Sequence, residues 1–203
     1  MIYYCADLHA FHSNIIRFNK AENLFSTVED MNSTIIKNWN QKVNNDDIVF
    51  IIGDECWLKP TDERYEHFFA QLKGQKQLIR GNHSPSQFPP NVRKHFCDIK
   101  DYKEIVDYVD GVVYHVVLCH YPIICFKNDF KPDWVMIHGH THYYTDEAIY
   151  MREQIKEIKK KYVQYPDNRG QIFNVGICCP WMDYTPKSLK ALITMNDKGM
   201  ILQ

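Results

Sequence analysis

Residues 46–55 read DDIVFIIGDE. Ile48 to Ile52 form an unbroken apolar run, four of its five residues β-branched, which is the composition of a strand buried in a core. The run ends on Gly53, which permits a sharp turn and leaves Asp54 at the end of the strand. The same pattern recurs along the chain. MIYYCADLH at 1–9, KQLIRGNH at 76–83, VVYHVVLCHYP at 112–122 and DWVMIHGHTH at 133–142 each pass from an apolar stretch into His, Asp or Asn.

Helical segments lie between and after these runs. In 27–43, Val28, Met31, Ile35, Trp39 and Val43 recur at three- or four-residue intervals, the stripe of an amphipathic helix. In TDERYEHFFAQLK (61–73), Tyr65, Phe68, Phe69 and Leu72 share one side, and Thr61 is the expected N-cap. Residues 146–163, DEAIYMREQIKEIKKKYV, place Met151, Ile155, Ile158 and Tyr162 along one side and Arg152, Lys156, Lys159, Lys160 and Lys161 on the other. That helix reads as docked with a solvated basic face; a cap that draws phosphate-bearing substrates by charge is the sharper alternative. Strands alternate with helices early and dominate later. The class is therefore a mixed α/β sandwich, with 1–203 as one domain that carries the additional helical segment around 146–163.

Apolar residues make up 45% of the 203, enough for one sizeable core. Lys plus Arg (24) and Asp plus Glu (25) almost cancel, which argues against a long polyanion or an anionic membrane as partner. The seven cysteines are odd in number and lack C-x-x-C spacing, against a disulfide framework or a zinc ribbon. The N-terminus opens directly on a strand-like run, and no window approaches 18 apolar residues, so a cytoplasmic setting is expected.

Collected from the strand ends, Asp7 and His9, Asp54, Asn82 and His83, His120, His140 and His142 are all oxygen or imidazole donors. Hard and borderline divalent ions favour such donors. One tetrahedral structural zinc needs only four, so this set implies two metal ions. Two ions about 3.5–4 Å apart need a ligand that screens their repulsion, and Asp54 is the natural bridge. Singly, a D-x-H, a G-N-H or one histidine on an apolar strand is more often a chance or core feature; order and strand-end placement together carry the reading.

The blocks DLH at 7–9, GD at 53–54, GNH at 81–83, CH at 119–120 and GHTH at 139–142 resemble, in their order, the motifs of the calcineurin-like metallophosphoesterases. ADLHAFHSNIIRF at 6–18 and FNVGICCPWMDYTPKSL at 173–189 are similar to a small bacterial and phage branch of that family. The resemblance implies a four-layered α/β/β/α sandwich with the site on loops at the carboxyl ends of the strands. It implies Asp7, His9, Asp54 and His142 on one metal ion and Asp54, Asn82, His120 and His140 on the other. Manganese is the first expectation, with iron, nickel or zinc as alternatives. It further implies hydrolysis of a phosphomonoester or phosphodiester, such as a nucleotide or cyclic nucleotide, by in-line attack of a metal-activated hydroxide. His83 would stabilise or protonate the leaving oxygen.

Two departures bear on these expectations. The family usually has Asp or Glu after G-N-H, where this chain has Ser84 and Pro85, so the acidic neighbour expected near His83 is missing. After NVG, where the branch often has an acidic residue, stand Ile177, Cys178 and Cys179, the two cysteines reading as small buried residues rather than a redox or metal-sensitive spot. His12 and Asn14 follow D-x-H closely enough to contact substrate. Arg17 and Arg80 read as ion-paired, and Tyr121 and Trp181 as packed beside prolines. His138 precedes the turn at Gly139 and reads as a core or supporting hydrogen-bonding residue, while His67, His95 and His115 have no motif context. Two other functions compete. A non-catalytic scaffold on the same fold should have lost ligands or His83, none of which is missing, and a nuclease should show a basic groove, against the near-zero net charge. The expected partner is a small phosphate ester, without membrane or extended nucleic acid; oligomeric state has no signal in the sequence.

Overall fold

The structure, a computed structural model, describes residues 1–161 and 171–201, the side chains of 159–161 excepted. In chain order its elements are β1 (Ile2–Cys5), α1 (Ile15–Phe18), α2 (Val28–Lys42), β2 (Ile48–Ile52), α3 (Glu63–Ala70), β3 (Gln75–Ile79), α4 (Pro90–Arg93) and β4 (Phe96–Lys100). There follow β5 (Tyr102–Val109), β6 (Val112–Cys119), β7 (Trp134–His138), α5 (Asp146–Lys161), β8 (Ile172–Asn174), β9 (Lys187–Ser188) and α6 (Leu189–Asp197). The five apolar runs are β1, β2, β3, β6 and β7.

Among the described residues the strands form two sheets, ordered β4-β3-β2-β1-β9 and β5-β6-β7-β8. The first is parallel except for β9, the second except for the β5–β6 pair. Parallel strands are covered on both faces, which is why they read as unbroken apolar runs. Alternation then sorts the side chains. Tyr4 stacks on Phe50 with ring centroids 5.9 Å apart, and its hydroxyl crosses to the other sheet to donate to Asp107 Oδ2 on β5 at 2.8 Å. Val116, Leu118, Val135, Ile137 and Phe173 join this core, while Val117, Trp134, Met136 and Ile172 face the other way and pack with Ile155 of α5. On the far side of the first sheet, α2 and α3 supply Met31, Ile35, Trp39, Tyr65, Phe68 and Phe69. The result is the four-layered α/β/β/α sandwich.

The helices follow their sequence signals with two corrections. Thr27 caps α2 through a reciprocal pair, its Oγ1 accepting from Asp30 N and Asp30 Oδ2 accepting from Thr27 N, each at 3.1 Å. Such a cap stabilises a helix by about 1 kcal/mol. The cap of α3 is Asp62 and not Thr61: its carboxylate accepts from Arg64 N at 3.0 Å, so the helix starts one residue later than expected. In α5, Lys156 is exposed as expected, but Arg152 does not belong to a solvated face. Its guanidinium lies 4.5 Å from the centre of the Tyr143 ring and donates to Tyr143 O at 2.9 Å. Tyr162 and Val163, read as the end of this helix, lie outside the described residues.

The sheets meet where the site lies. Beyond its last residue β1 leaves its own sheet: Ala6 N donates to Val175 O at 2.8 Å and Ala6 O accepts from Ile177 N at 3.0 Å, a parallel bridge to the segment after β8. The parallel strands of both sheets therefore point the same way, and their carboxyl ends emerge together.

Candidate metal centre

At those ends the chain turns through left-handed backbone, with φ of +54° at Asp7, +42° at His9, +50° at Asp54, +69° at His140 and +53° at His142. This region costs a residue with a side chain about 1–2 kcal/mol, so its recurrence at the predicted ligands marks positions imposed by the surrounding fold. Backbone bonds tie the turns together: Asp7 N donates to Gly53 O at 3.1 Å, His9 N to Asp54 O at 2.9 Å and Gly139 N to His120 O at 3.0 Å.

Two groups of donors result. Asp7, His9 and His142 can each present one donor atom with all three within 4.8 Å of one another, and so can Asp7, Asp54 and His120. In the first group the Nε2 atoms of His9 and His142 face each other at 3.2 Å. In the second, His120 Nδ1 is engaged by Ile52 O at 2.9 Å, which leaves Nε2 as its free nitrogen. That atom lies 3.0 Å from Asn82 Oδ1, and the same oxygen lies 2.9 Å from His140 Nδ1. Asp54 faces both groups: its Oδ2 is 3.7 Å from His9 Nε2 and 3.5 Å from His120 Nε2. The predicted ligands are thus brought together.

The donor set suits divalent cations. Asp7 is buried, its Oδ1 accepts from His140 N at 3.1 Å, and its Oδ2 has no partner. A buried, unsatisfied carboxylate oxygen is costly without a counter-charge. Burial, foremost, holds the Asp7 carboxyl above its usual range, against the nearby His142 and His120 charges. Burial also presses His9 down to about 3, with His142 adding to it, so its ring is the neutral imidazole that ligates metals. For Asp54 burial pushes upward, but its interaction with His120 and the His83 amide outweigh this and hold it at about 2, ionised.

Glycines give these groups room in two ways. Gly53, at φ +82°, makes the turn expected of it. Gly139 is not in the left-handed region; the turn assigned to it falls on His140. What Gly139 supplies is space, since a Cβ there would stand 2.6 Å from Ala6 Cβ and 2.8 Å from Asp7 Oδ2. A Cβ added at Gly176 would likewise stand 2.8 Å from that oxygen.

The remaining candidates border a cleft of about 460 Å³ beside the first group, lined among others by His9, His12, Asn14, His83 and His142. His83 is exposed, with its backbone N–H bound to Asp54 Oδ1 at 2.9 Å. His12 is buried and Asn14 exposed. His138 is fully buried and turned from the donors, its Nδ1 2.9 Å from Gly139 O; it lines the α5 side of the sheet. Arg80 forks onto Asp101 at 2.8 and 2.9 Å, while Arg17 lies over the Phe18 ring at 5.5 Å. Trp181 packs as expected. Tyr121 does not: it is 47% exposed, edge-on to His140 with centroids 4.9 Å apart.

A family description covers the same ground. The model of the calcineurin-like phosphoesterases matches residues 1–165. The chain belongs to the calcineurin-like phosphoesterase family. It is 30% identical over 202 residues to an uncharacterized protein of Methanocaldococcus jannaschii, covering all of this chain and 94% of that one. It is also 26% identical over 163 residues to the gene 66 protein of Mycobacterium phage L5, covering 69% of this chain and 76% of that one. A protein of unknown function from Aquifex aeolicus, solved by crystallography, has the same fold, with a TM-score of 0.64 and 23% identity over 96% of this chain and 98% of that one. Among the described residues no helix is long and apolar enough to cross a membrane.

This calcineurin-like phosphoesterase also uses residues that sequence reading missed. Asn19 Oδ1 lies 3.0 Å from His142 Nδ1 and fixes that ring; nothing in its neighbourhood marks it. Asn174 Nδ2 donates to Thr141 Oγ1 at 3.1 Å and to His142 O at 2.8 Å, holding the GHTH loop. Glu55, fully buried, accepts from Tyr65 OH at 2.6 Å and from Ser84 Oγ at 2.5 Å. Cys178 and Cys179 are buried free thiols, Cys178 Sγ standing 3.9 Å from His142 Nδ1.

Proposed function

We propose that this protein hydrolyses a small phosphate monoester or diester, such as a nucleotide or cyclic nucleotide. In this reading two divalent ions are held by Asp7, His9, Asp54 and His142 and by Asp54, Asn82, His120 and His140. The observation that carries it is the single carboxylate oxygen of Asp54, within 4 Å of an imidazole nitrogen in each donor group. The unpartnered Asp7 Oδ2 and the facing Nε2 atoms of His9 and His142 fit cations in the same place. Bound there, a metal pair supplies positive charge against the phosphoryl oxygens and acidifies water.

The chain's own groups do the rest. His83 stands exposed at the cleft on a turn tied to Asp54 by its backbone, so a ring nitrogen can hold or deliver a proton at the leaving oxygen. Asn82 Oδ1 lies within 3.0 Å of a ring nitrogen of both His120 and His140, so the three side chains converge where the second ion would be held. A cleft of about 460 Å³ suits a small organic ester and not a polymer. Oxygen and imidazole donors suit first-row divalent ions; manganese, the first expectation from the family resemblance, is proposed ahead of iron, nickel or zinc. The free cysteines agree with a reducing, cytoplasmic setting, and 1–203 reads as one domain.

The test is a hydrolysis panel of bis- and mono-p-nitrophenyl phosphate, cyclic nucleotides and nucleoside phosphates under Mn²⁺, Ni²⁺, Mg²⁺ or Zn²⁺, run beside Asp54→Asn with metal content measured at saturation. Two ions per chain and loss of turnover in the variant are expected. Activity that survives Asp54→Asn, or fewer than two ions in the wild type, would sink the reading. His83→Ala should keep both ions and lose turnover; an unchanged rate would assign the leaving oxygen to another group.

A further inference from the structure

The cleft is bordered by a feature the donor groups do not use. His83 begins an arc of rings: its centroid lies 4.7 Å from that of Trp57, Trp57 lies 3.9 Å from His12, and His12 lies 5.9 Å from Phe18. Two members are large apolar side chains left open to solvent, Trp57 46% exposed and Phe18 53%. Trp57 is not on a loose loop. Its backbone N–H donates to Ala10 O at 2.9 Å, and Cys56 pairs with Ala10, so the segment after Asp54 is stitched to the segment after His9. The other residues lining this cleft are Asn14, Ile15, Asn19 and Thr145 besides His9 and His142; no Lys, Arg, Asp or Glu is among them.

An exposed indole on a fastened backbone at the mouth of a concave site is an arrangement that binds flat rings, because desolvating two π faces against each other is favourable and an indole has few rotamers to order. Among the described residues the wall has no Lys or Arg, which is wrong for a second charged phosphate or a polyphosphate tail. Asn14, which caps α1 without a side-chain hydrogen bond, leaves its amide available beside the rings. We propose that Trp57, with Phe18 and His12, forms the specificity wall for the organic part of the ester, and that this part carries a planar aromatic group, either a nucleobase or an aryl alcohol. The proposal rests on the phosphoesterase reading for its chemistry, since the arc begins at His83, where the leaving oxygen would sit. Its geometry does not depend on metal.

Two measurements on the full chain test it. In the first, kcat/KM is taken for three Mn²⁺-supported substrates: p-nitrophenyl phosphate, a nucleoside 5′-monophosphate and glycerol phosphate, which has no ring. Trp57→Ala should lower the ratio of ring-bearing to ring-free kcat/KM on the order of tenfold, the size of one lost stacking contact, mainly through KM, and Trp57→Phe should restore most of it. In the second, tryptophan fluorescence of metal-free protein is titrated with adenosine and with phenol, neither of which absorbs at the wavelengths that tryptophan emits. Trp39, Trp134 and Trp181 are buried, so a quench at the site reports Trp57 and should vanish in Trp57→Phe. A response to adenosine alone assigns the nucleobase, and to phenol alone the aryl group. A substrate ratio unchanged in Trp57→Ala, or a quench that persists in Trp57→Phe, overturns the wall. If the wild type hydrolyses nothing while the Trp57-dependent quench is present, the phosphoesterase reading fails and the ring site stands.

Discussion

Replacing Gly139 by alanine separates the two roles a motif glycine can have. Its backbone is not left-handed, so alanine meets no conformational penalty there, and restricting the unfolded chain alone would stabilise by about 0.4–1 kcal/mol. Space argues the other way. The added Cβ would lie 2.6 Å from Ala6 Cβ and 2.8 Å from Asp7 Oδ2, about 1 Å inside the roughly 3.5–4 Å at which such atoms rest. Neither neighbour can give way easily. Ala6 is fully buried and pinned by both its N–H and its carbonyl, and Asp7 is buried with its Oδ1 held by His140 N.

Overpacking of this kind costs about 1–3 kcal/mol; less the unfolded-state gain, the net loss is about 1–2 kcal/mol, or roughly 2–8 °C in Tm for a chain of this size. A second effect is specific to the site. An ion at a hundred times its Kd adds about 2.7 kcal/mol of stability, and a tenfold weaker site at the same concentration adds only about 1.4. If Asp7 is displaced, the share of the Mn²⁺-induced rise in Tm that comes from the ion it holds should therefore shrink by about half, which is about a quarter of the rise from both ions. Scanning calorimetry in EDTA and in Mn²⁺, with bound metal counted by atomic emission, measures both effects. A variant that melts higher than the wild type in EDTA and keeps the full metal-induced rise would refute the crowding argument.

Three further outcomes are expected. Asn19→Ala frees the His142 ring that its Oδ1 holds at 3.0 Å; metal affinity by titration calorimetry should fall about 10- to 100-fold with little change in Tm of the metal-free protein, and an unchanged affinity would dismiss the restraint. Ser84→Ala leaves the buried Glu55 carboxylate and the Gly81 N–H each short of a partner, so denaturant unfolding should show a loss of about 1–3 kcal/mol, and none would mean that water replaces the hydroxyl. Among the neighbouring histidines, His140→Ala and His142→Ala should lower the metal count at saturation. His138→Ala should keep it while destabilising the fold, and a lost ion in that variant would contradict its burial on the α5 side of the sheet.

What was legible in the sequence was whatever short-range periodicity encodes. Ile48–Ile52 had to be a buried strand because it has no polar residue to show to water, and the parity of β7 sends Trp134, Met136 and His138 to one face. Continued past β7, that parity would place His140 and His142 on the same face as His138, so it is the turn after the strand that separates them. The turn expected at Gly139 is made instead by the left-handed backbone of His140 and His142. β5 escaped notice because it has apolar residues on both faces, Ile105 and Val109 inward and Val106 and Tyr108 exposed, which erases alternation. β9 is two residues long and exists only through its pairing with β1. Asn19 and Glu55 act through contacts made when the chain closes, 123 residues away in the case of Asn19 and His142. No local pattern can signal such a partner.

The missing acid after G-N-H shows how far a motif departure can be read. In sequence, Ser84 removes a carboxylate from the turn that carries His83. In space a carboxylate is still bound to that turn: Ser84 Oγ accepts from Gly81 N at 2.9 Å and donates to Glu55 Oε2 at 2.5 Å, while Tyr65 OH donates to Oε1 at 2.6 Å. Burial, foremost, keeps the Glu55 carboxyl above its ordinary range, opposed by these two hydroxyls. A fully buried acid with both oxygens satisfied is an anchor and not a proton donor to solvent. Glu55 follows the bridging Asp54, whose Oδ1 accepts from His83 N, so both ends of the G-N-H turn are fastened to consecutive residues of one loop. The departure therefore relocates the acidic group from one loop to its neighbour. It bears on how rigidly His83 is presented to the cleft.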